Sequence, residues 1–149
     1  MKTLREIEAD VLRAAARVGA AGQTLPTYGS SDDGARPHIE VADGLYHYVV
    51  VERGVERERR SSERYEDLLY WIFADVTFGM AFSYELANRI EDQDCRRIAF
   101  PRQIELMSQL NQEFGRRLEV DIADIVRRAP YDDEPIKAVN RMRGGGSKS

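Results

Sequence analysis

Histidine and cysteine are the side chains that most often bind transition metals or act as nucleophiles, and this chain has only three of them. His38 and His47 lie in a stretch where polar and apolar residues alternate, and we interpret both as structural residues of a β-hairpin. Cys95 has no Cys-x-x-Cys partner, so we interpret it as a structural thiol. The sequence therefore predicts neither a metal site nor a bound cofactor.

Charged side chains inside one apolar stretch are the next candidates for chemistry. Paired carboxylates can act as general acid and base, but Asp75 and Glu85 are ten positions apart and do not converge from a single helix. We expect Glu85 to pair with Arg89 one turn later, and Asp75 to meet an arginine from elsewhere. The predicted structural ion-pair network consists of Arg53, Asp75, Glu85, Arg89, Arg96 and Arg97. A small enzyme or metal-binding protein that uses Asp75, Glu85, Arg89 and Arg96 is the alternative.

The stretch from residue 53 to residue 64 contains five arginines and three glutamates. Alternating charge of this kind is typical of a solvated edge strand, where it also discourages edge-to-edge aggregation. The alternative is a nucleic-acid-binding module that binds through Arg57, Arg59, Arg60 and Arg64. We favour the edge strand and expect no nucleic-acid partner.

The charge of the chain is unevenly distributed. Its 149 residues carry a net charge of −4, yet the last fourteen contain four basic and no acidic side chains, which leaves −8 on residues 1–135. An acidic domain repels nucleic acid and suits a basic protein partner, such as a nuclease whose own surface binds phosphates.

The chain begins without an apolar run that resembles a signal peptide, and its longest apolar stretch is interrupted by Asp75. A single cysteine forms no internal disulfide. We therefore expect a cytoplasmic protein with no membrane partner.

A helix over 65–89 must position Asp75, Glu85 and Arg89. Its apolar side chains lie on nearly every side at helical spacing, which predicts a central helix that is buried all round. Thr3 and Glu6 form a capping box before an amphipathic helix that ends at Val18, with Gly19 after it. The predicted third helix begins near Pro101 and ends at Arg128.

The remaining segments complete an α+β domain. Turn-forming residues over 20–37 predict a long exposed loop. Three strands follow, over 38–42, 45–51 and 55–60, with turns at Asp43-Gly44 and Arg53-Gly54. We predict a three-stranded antiparallel meander packed against three main helices, in one domain over residues 1–135. Residues 136–149 are predicted to be a basic flexible tail that ends in glycine and serine.

The middle of the chain resembles the bacterial immunity protein 63 (Imm63) family, whose members are found beside polymorphic toxins. The residues that carry the resemblance are Tyr48–Glu56, Asp67–Phe73, Thr77–Phe78, Tyr84–Arg89 and Asp94–Arg97, with Phe100, Gln103, Glu105 and Leu106. The resemblance implies a non-enzymatic immunity protein that binds one cognate bacterial toxin and blocks it. It implies no particular toxin-contacting residues.

Recognition of a basic toxin is expected to use exposed acidic side chains outside those motifs. The predicted partner-binding residues are Asp32, Asp33, Glu40, Asp43, Asp132, Asp133 and Glu134.

Overall fold

The computed structural model describes residues 1–146, so Ser147–Ser149 of the predicted tail lie outside the described residues. The chain divides into two compact units, one over residues 1–77 and one beginning at Phe78. The class is α+β, as predicted, but the described part contains five α-helices and a four-stranded sheet.

The sheet of the first unit is mixed. Its strands are β1 (Thr27–Tyr28), β2 (His38–Ala42), β3 (Leu45–Glu52) and β4 (Val55–Ser62), in the order β1-β2-β3-β4. Strands β2, β3 and β4 form the predicted antiparallel meander, whereas β1 joins β2 in parallel. The prediction of three strands was wrong because β1 has two residues, too few for an alternating pattern, inside a segment rich in turn residues.

Helix α1 (Leu4–Val18) has the predicted boundaries. The Thr3 hydroxyl accepts the Glu6 amide, the Glu6 carboxylate accepts the Thr3 amide, and Gly19 ends the helix with a φ of 73°. Ile7, Val11 and Ala15 form its buried stripe. A capping box and a left-handed glycine therefore fix both ends of the helix locally.

Helix α2 (Tyr65–Ala87) crosses the boundary between the units. The prediction that it is buried all round was wrong. Leu68, Ile72 and Phe73 are buried in its first half, but Phe78 and Leu86 in its second half are 49% and 66% exposed. Asp75 is also exposed. Apolar side chains on every side of a helix thus did not indicate complete burial here, because some large apolar residues remain at protein surfaces.

Two helices replace the predicted third one. Helix α3 (Arg96–Leu110) and helix α4 (Gln112–Arg128) are separated by Asn111, whose backbone is extended at φ −164° and ψ 126°. The Asn111 side chain accepts the Phe114 amide and so caps α4. The apolar spacing continues across this break and therefore did not reveal it.

Helix α5 (Glu134–Gly146) occupies most of the stretch for which a flexible tail is predicted. Its first turn includes a hydrogen bond from the Lys137 amide to the Asp133 carbonyl. No helix in the described part of the chain is both long enough and apolar enough to cross a membrane.

Candidate functional site

A buried carboxylate, Asp94, organises the polar interior of the second unit. The residue is 8% exposed and lies two positions before α3. Its Oδ1 accepts the Arg96 amide at 2.9 Å, and its Oδ2 accepts Arg96 Nη2 at 2.8 Å and the Asp132 amide at 3.1 Å. One side chain therefore supports the start of α3 and also holds the segment after α4.

Asp133 completes this arrangement from the opposite direction. Its Oδ1 accepts the Asp94 amide at 2.7 Å and Arg97 Nε at 3.0 Å. Arg96 in turn donates to the carbonyls of Ala129 and Pro130, at 2.9 and 3.0 Å. We call the group Asp94, Arg96, Arg97, Asp132 and Asp133 the Asp94 clasp.

The electrostatics of the clasp favour the ionised carboxylates. The bond from Arg96 lowers the pKa of Asp94 to about 2, against an opposing effect of burial. The pKa of Asp133 is lowered chiefly by the Asp94 amide and then by Arg97. Both guanidinium groups also lie over the Tyr131 ring, at 5.4 Å for Arg96 and 4.8 Å for Arg97.

Glu85 and Arg89 form a second ion pair in the same unit. Glu85 is 2% exposed, and its two oxygens accept Arg89 Nε and Nη2 at 2.9 and 3.0 Å. This pair has the predicted one-turn spacing within the sequence. The bidentate geometry uses both carboxylate oxygens and leaves a charge-neutral unit.

Asp75 and Arg53 belong to the first unit, and the structure does not bring them together. Arg53 lies in the β3–β4 turn with a φ of 53°, and its side chain makes no ion pair among the described residues. Although Asp75 is exposed as a whole, partial desolvation of its carboxylate raises its pKa, and Glu58 adds to this while Arg60 opposes it. The charged neighbours of Asp75 are thus on β4.

The acidic residues predicted to bind a partner in the first unit do not form a single cluster. Asp43 lies in the β2–β3 turn, while Asp33 accepts the Gly54 amide of the β3–β4 turn at 2.7 Å, at the opposite end of β3. Asp32 is exposed and accepts the Gly34 amide at 3.0 Å. Glu40 lies on β2 between two cationic or polar partners, His38 Nε2 at 2.6 Å and Arg59 Nη1 at 3.3 Å, which lower its pKa.

In the second unit, two of the three predicted acids belong to the Asp94 clasp. The Asp132 amide donates to Asp94, its own Oδ1 accepts the Glu134 amide, and Asp133 pairs with Arg97. Glu134 is exposed, with Lys137 Nζ 3.4 Å from its carboxylate. Asp132 and Asp133 therefore have internal roles that the sequence pattern did not indicate.

Both histidines are buried and hydrogen-bonded. His47 Nδ1 lies 2.6 Å from the Ser61 hydroxyl, and its Nε2 lies 3.3 Å from the Ala42 carbonyl. Among the described residues, no three His, Cys, Asp or Glu side chains are grouped so that they could hold a metal ion.

The sequence of residues 42–124 matches the family described as immunity protein 63. The chain belongs to the immunity protein 63 family. The match covers more than half of the chain, and it includes β3, β4, α2, α3 and most of α4. No curated protein and no solved structure gives a significant match to this immunity protein 63 family member.

The family match includes only part of the Asp94 clasp. Asp94, Arg96 and Arg97 lie inside it, whereas Asp132 and Asp133 lie beyond its end. The sequence-based interpretation missed Asp94 as the partner of Arg96. The available signal was local, because an aspartate two residues before an arginine at a helix start can accept both its amide and its guanidinium.

Proposed function

We propose that this protein is an immunity protein that binds a cognate bacterial toxin and neutralises it by protein–protein interaction, without catalysis. The observation that carries the proposal is membership of the immunity protein 63 family over residues 42–124. The toxin and the immunity protein meet in the cytoplasm of the producing cell under this proposal.

The charge of the chain supports a basic partner. Residues 1–135 have a net charge of −8. This negative charge repels nucleic acid and attracts a basic toxin, such as a nuclease. The predicted contact residues contribute unequally. Asp33, Glu40, Asp132 and Asp133 are hydrogen-bonded to residues at least 19 positions away in the chain. Asp32 and Glu134 are exposed and, among the described residues, contact only residues two or three positions away, and Asp43 is exposed in the β2–β3 turn. We therefore assign the toxin contacts first to Asp32, Asp43 and Glu134.

The group Asp75, Glu85, Arg89 and Arg96 has a different role in our account. Arg89 and Arg96 each have their own carboxylate partner, Glu85 and Asp94, and these bonds stabilise the second unit. Ion-pair networks of this kind resemble active sites in composition without performing chemistry.

The test is co-expression with the product of the neighbouring reading frame. We expect the two proteins to co-purify as a complex and the cells to survive a toxin that kills them alone. Charge reversal by Asp32→Lys and, separately, by Asp43→Lys tests the two ends of the sheet. Retention of full toxin binding by both variants would remove these acids from the interface, and a folded wild-type protein that neither binds nor protects would contradict the proposed function.

A further inference from the structure

Two adjoining pockets form a groove along α1 at the β1 edge of the sheet. Their volumes are about 360 and 470 Å³, and Glu8, Leu12 and Tyr28 line both of them. Pockets of this size can accept several side chains of a bound segment. We call this feature the α1–β1 groove, and all of its lining residues belong to the first unit.

The β1 edge offers backbone hydrogen-bonding groups to this groove. The amides of Thr27 and Gly29 donate to the carbonyls of Pro37 and Ile39, at 2.9 and 2.8 Å, so these two residues face β2. Since successive residues of a strand point their amides in opposite directions, the Tyr28 amide and carbonyl face away from β2. Strand β1 is terminal in the sheet, and no described strand pairs with that side. The amide and carbonyl of Tyr28 can therefore pair with a further strand.

Apolar side chains line part of the groove, and hydrogen bonds from Arg36 hold one side of it in place. Leu25 and Pro26 are buried at its base, while Leu12 is 52% exposed on α1. Arg36 donates through Nε to the Leu25 carbonyl at 2.6 Å and through Nη2 to the Gly22 carbonyl at 3.3 Å, which fixes the rim. The groove is therefore shaped by bonds within the chain and does not require a partner to form it.

Apolar and charged side chains meet near the Tyr28 ring, where Leu12, Glu8 and Arg36 line the groove. Burial, together with the Glu8 carboxylate, raises the pKa of the Tyr28 hydroxyl to about 12. Glu8 makes no ion pair among the described residues.

We propose that the α1–β1 groove binds an extended segment of the toxin, which pairs with the outward edge of β1 and places an apolar side chain beside Leu12. Backbone bonds to Tyr28 supply the strand pairing, and the pocket selects the side chain, as in recognition by strand addition. This inference rests on the proposed function and specifies how the toxin is held.

The other sheet edge is less suited to the same role. Strand β4 carries Glu56, Arg59 and Arg60 in ion pairs along its length, and a register shift occurs opposite it between Val50 and Val51. Charged side chains and bulges are devices that discourage strand pairing. The short β1 edge has neither, and it is next to a groove in which Leu12 is exposed beside Glu8 and Arg36.

The experiment measures the affinity of the purified toxin domain from the neighbouring reading frame for three forms of this protein. Leu12→Lys replaces an exposed apolar side chain of the groove with a good helix former, which can also pair with Glu8 one turn earlier, so folding is preserved. Val120→Lys is the matched control, because Val120 is an apolar helical residue that is 69% exposed and outside the groove. Hydrogen exchange of the Tyr28 amide is measured in the free protein and in the complex.

We expect Leu12→Lys to raise Kd at least about tenfold, Val120→Lys to leave it unchanged, and the toxin to slow exchange of the Tyr28 amide. Unchanged affinity of Leu12→Lys, or unchanged exchange at Tyr28 in a formed complex, overturns the strand-addition proposal while the proposed function stands. Loss of affinity in both variants would also overturn it, as would self-association of the protein through the groove. Absence of toxin binding by the wild-type chain contradicts the proposed function and the groove together.

Discussion

The carboxylate of Asp94 accepts the backbone amide of Asp132 at 3.1 Å, across 38 positions of the chain. The same carboxylate binds the Arg96 side chain, so the start of α3 and the segment between α4 and α5 share one buried acceptor. The acidic segment after α4 is thereby held within the second unit. Asp132 and Asp133 are acidic in sequence, but their principal contacts are internal.

Asp94→Asn should destabilise the second unit by about 2–3 kcal/mol. The new side-chain NH2 group would face N–H groups whose hydrogen bonds the carboxylate now accepts. Thermal or denaturant unfolding measures the change. Glu119→Gln in α4 is the control, since Glu119 is exposed and is only a minor electrostatic neighbour of Arg116. A cost no greater than that of the control would contradict the structural role of the clasp.

The pH dependence of unfolding provides a separate test of Asp94. Its pKa is about 2 in the folded protein, below the ordinary value of an aspartate, so its stabilisation is complete above about pH 4 and is lost as the pH falls toward 2. The contribution lost is at most about 2 kcal/mol. We expect the stability curve of Asp94→Asn to be flatter than that of the wild type between pH 4 and pH 2. Parallel curves would contradict the assigned pKa.

The Glu85–Arg89 pair predicts a difference between removing one charge and removing both. Arg89→Met leaves a buried carboxylate without its partner and should cost about 2–4 kcal/mol. The double variant Glu85→Met with Arg89→Met should recover most of that loss, because no buried charge remains. Urea unfolding of the wild type, Arg89→Met and the double variant checks this. Equal stability of Arg89→Met and the double variant would show that the buried charge is not the source of the cost.

Helices α3 and α4 approach closely at Gly115. A Cβ atom at this position would lie 2.0 Å from the Ser108 hydroxyl oxygen and 3.1 Å from the Ser108 Cα. Gly115→Ala should therefore destabilise by about 1–3 kcal/mol despite the better helix propensity of alanine. Gly79→Ala is the matched control in α2, where an added Cβ would meet no atom within 4 Å beyond its chain neighbours and the local helix backbone. This variant should stabilise by up to about 1 kcal/mol. Similar changes in melting temperature for the two variants would contradict the close packing.

The features predicted correctly from the sequence are those determined by neighbouring residues. Thr3, Glu6 and Gly19 specify both ends of α1 through local hydrogen bonds and a left-handed backbone. Asp43-Gly44 and Arg53-Gly54 specify the two hairpin turns, and all four residues have positive φ values. Local backbone chemistry was sufficient for these elements.

The features that were missed depend on distant or competing contacts. The two-residue strand β1 is defined by its parallel pairing with β2, and no local sequence pattern predicts it. The candidate site shows the same limitation. Asp133 is one of several exposed-looking acids in the sequence, and only the folded chain brings it to Asp94 and Arg97.

Titration of the purified toxin's activity with this protein tests the central claim most directly. If the protein neutralises its toxin by binding, inhibition should rise in proportion to the protein added and become complete at a fixed molar ratio. It should also be reversed when the two proteins are separated. A toxin that stays active in excess folded protein would contradict the account, and so would a toxin permanently inactivated by a small fraction of an equivalent, since that outcome requires catalysis.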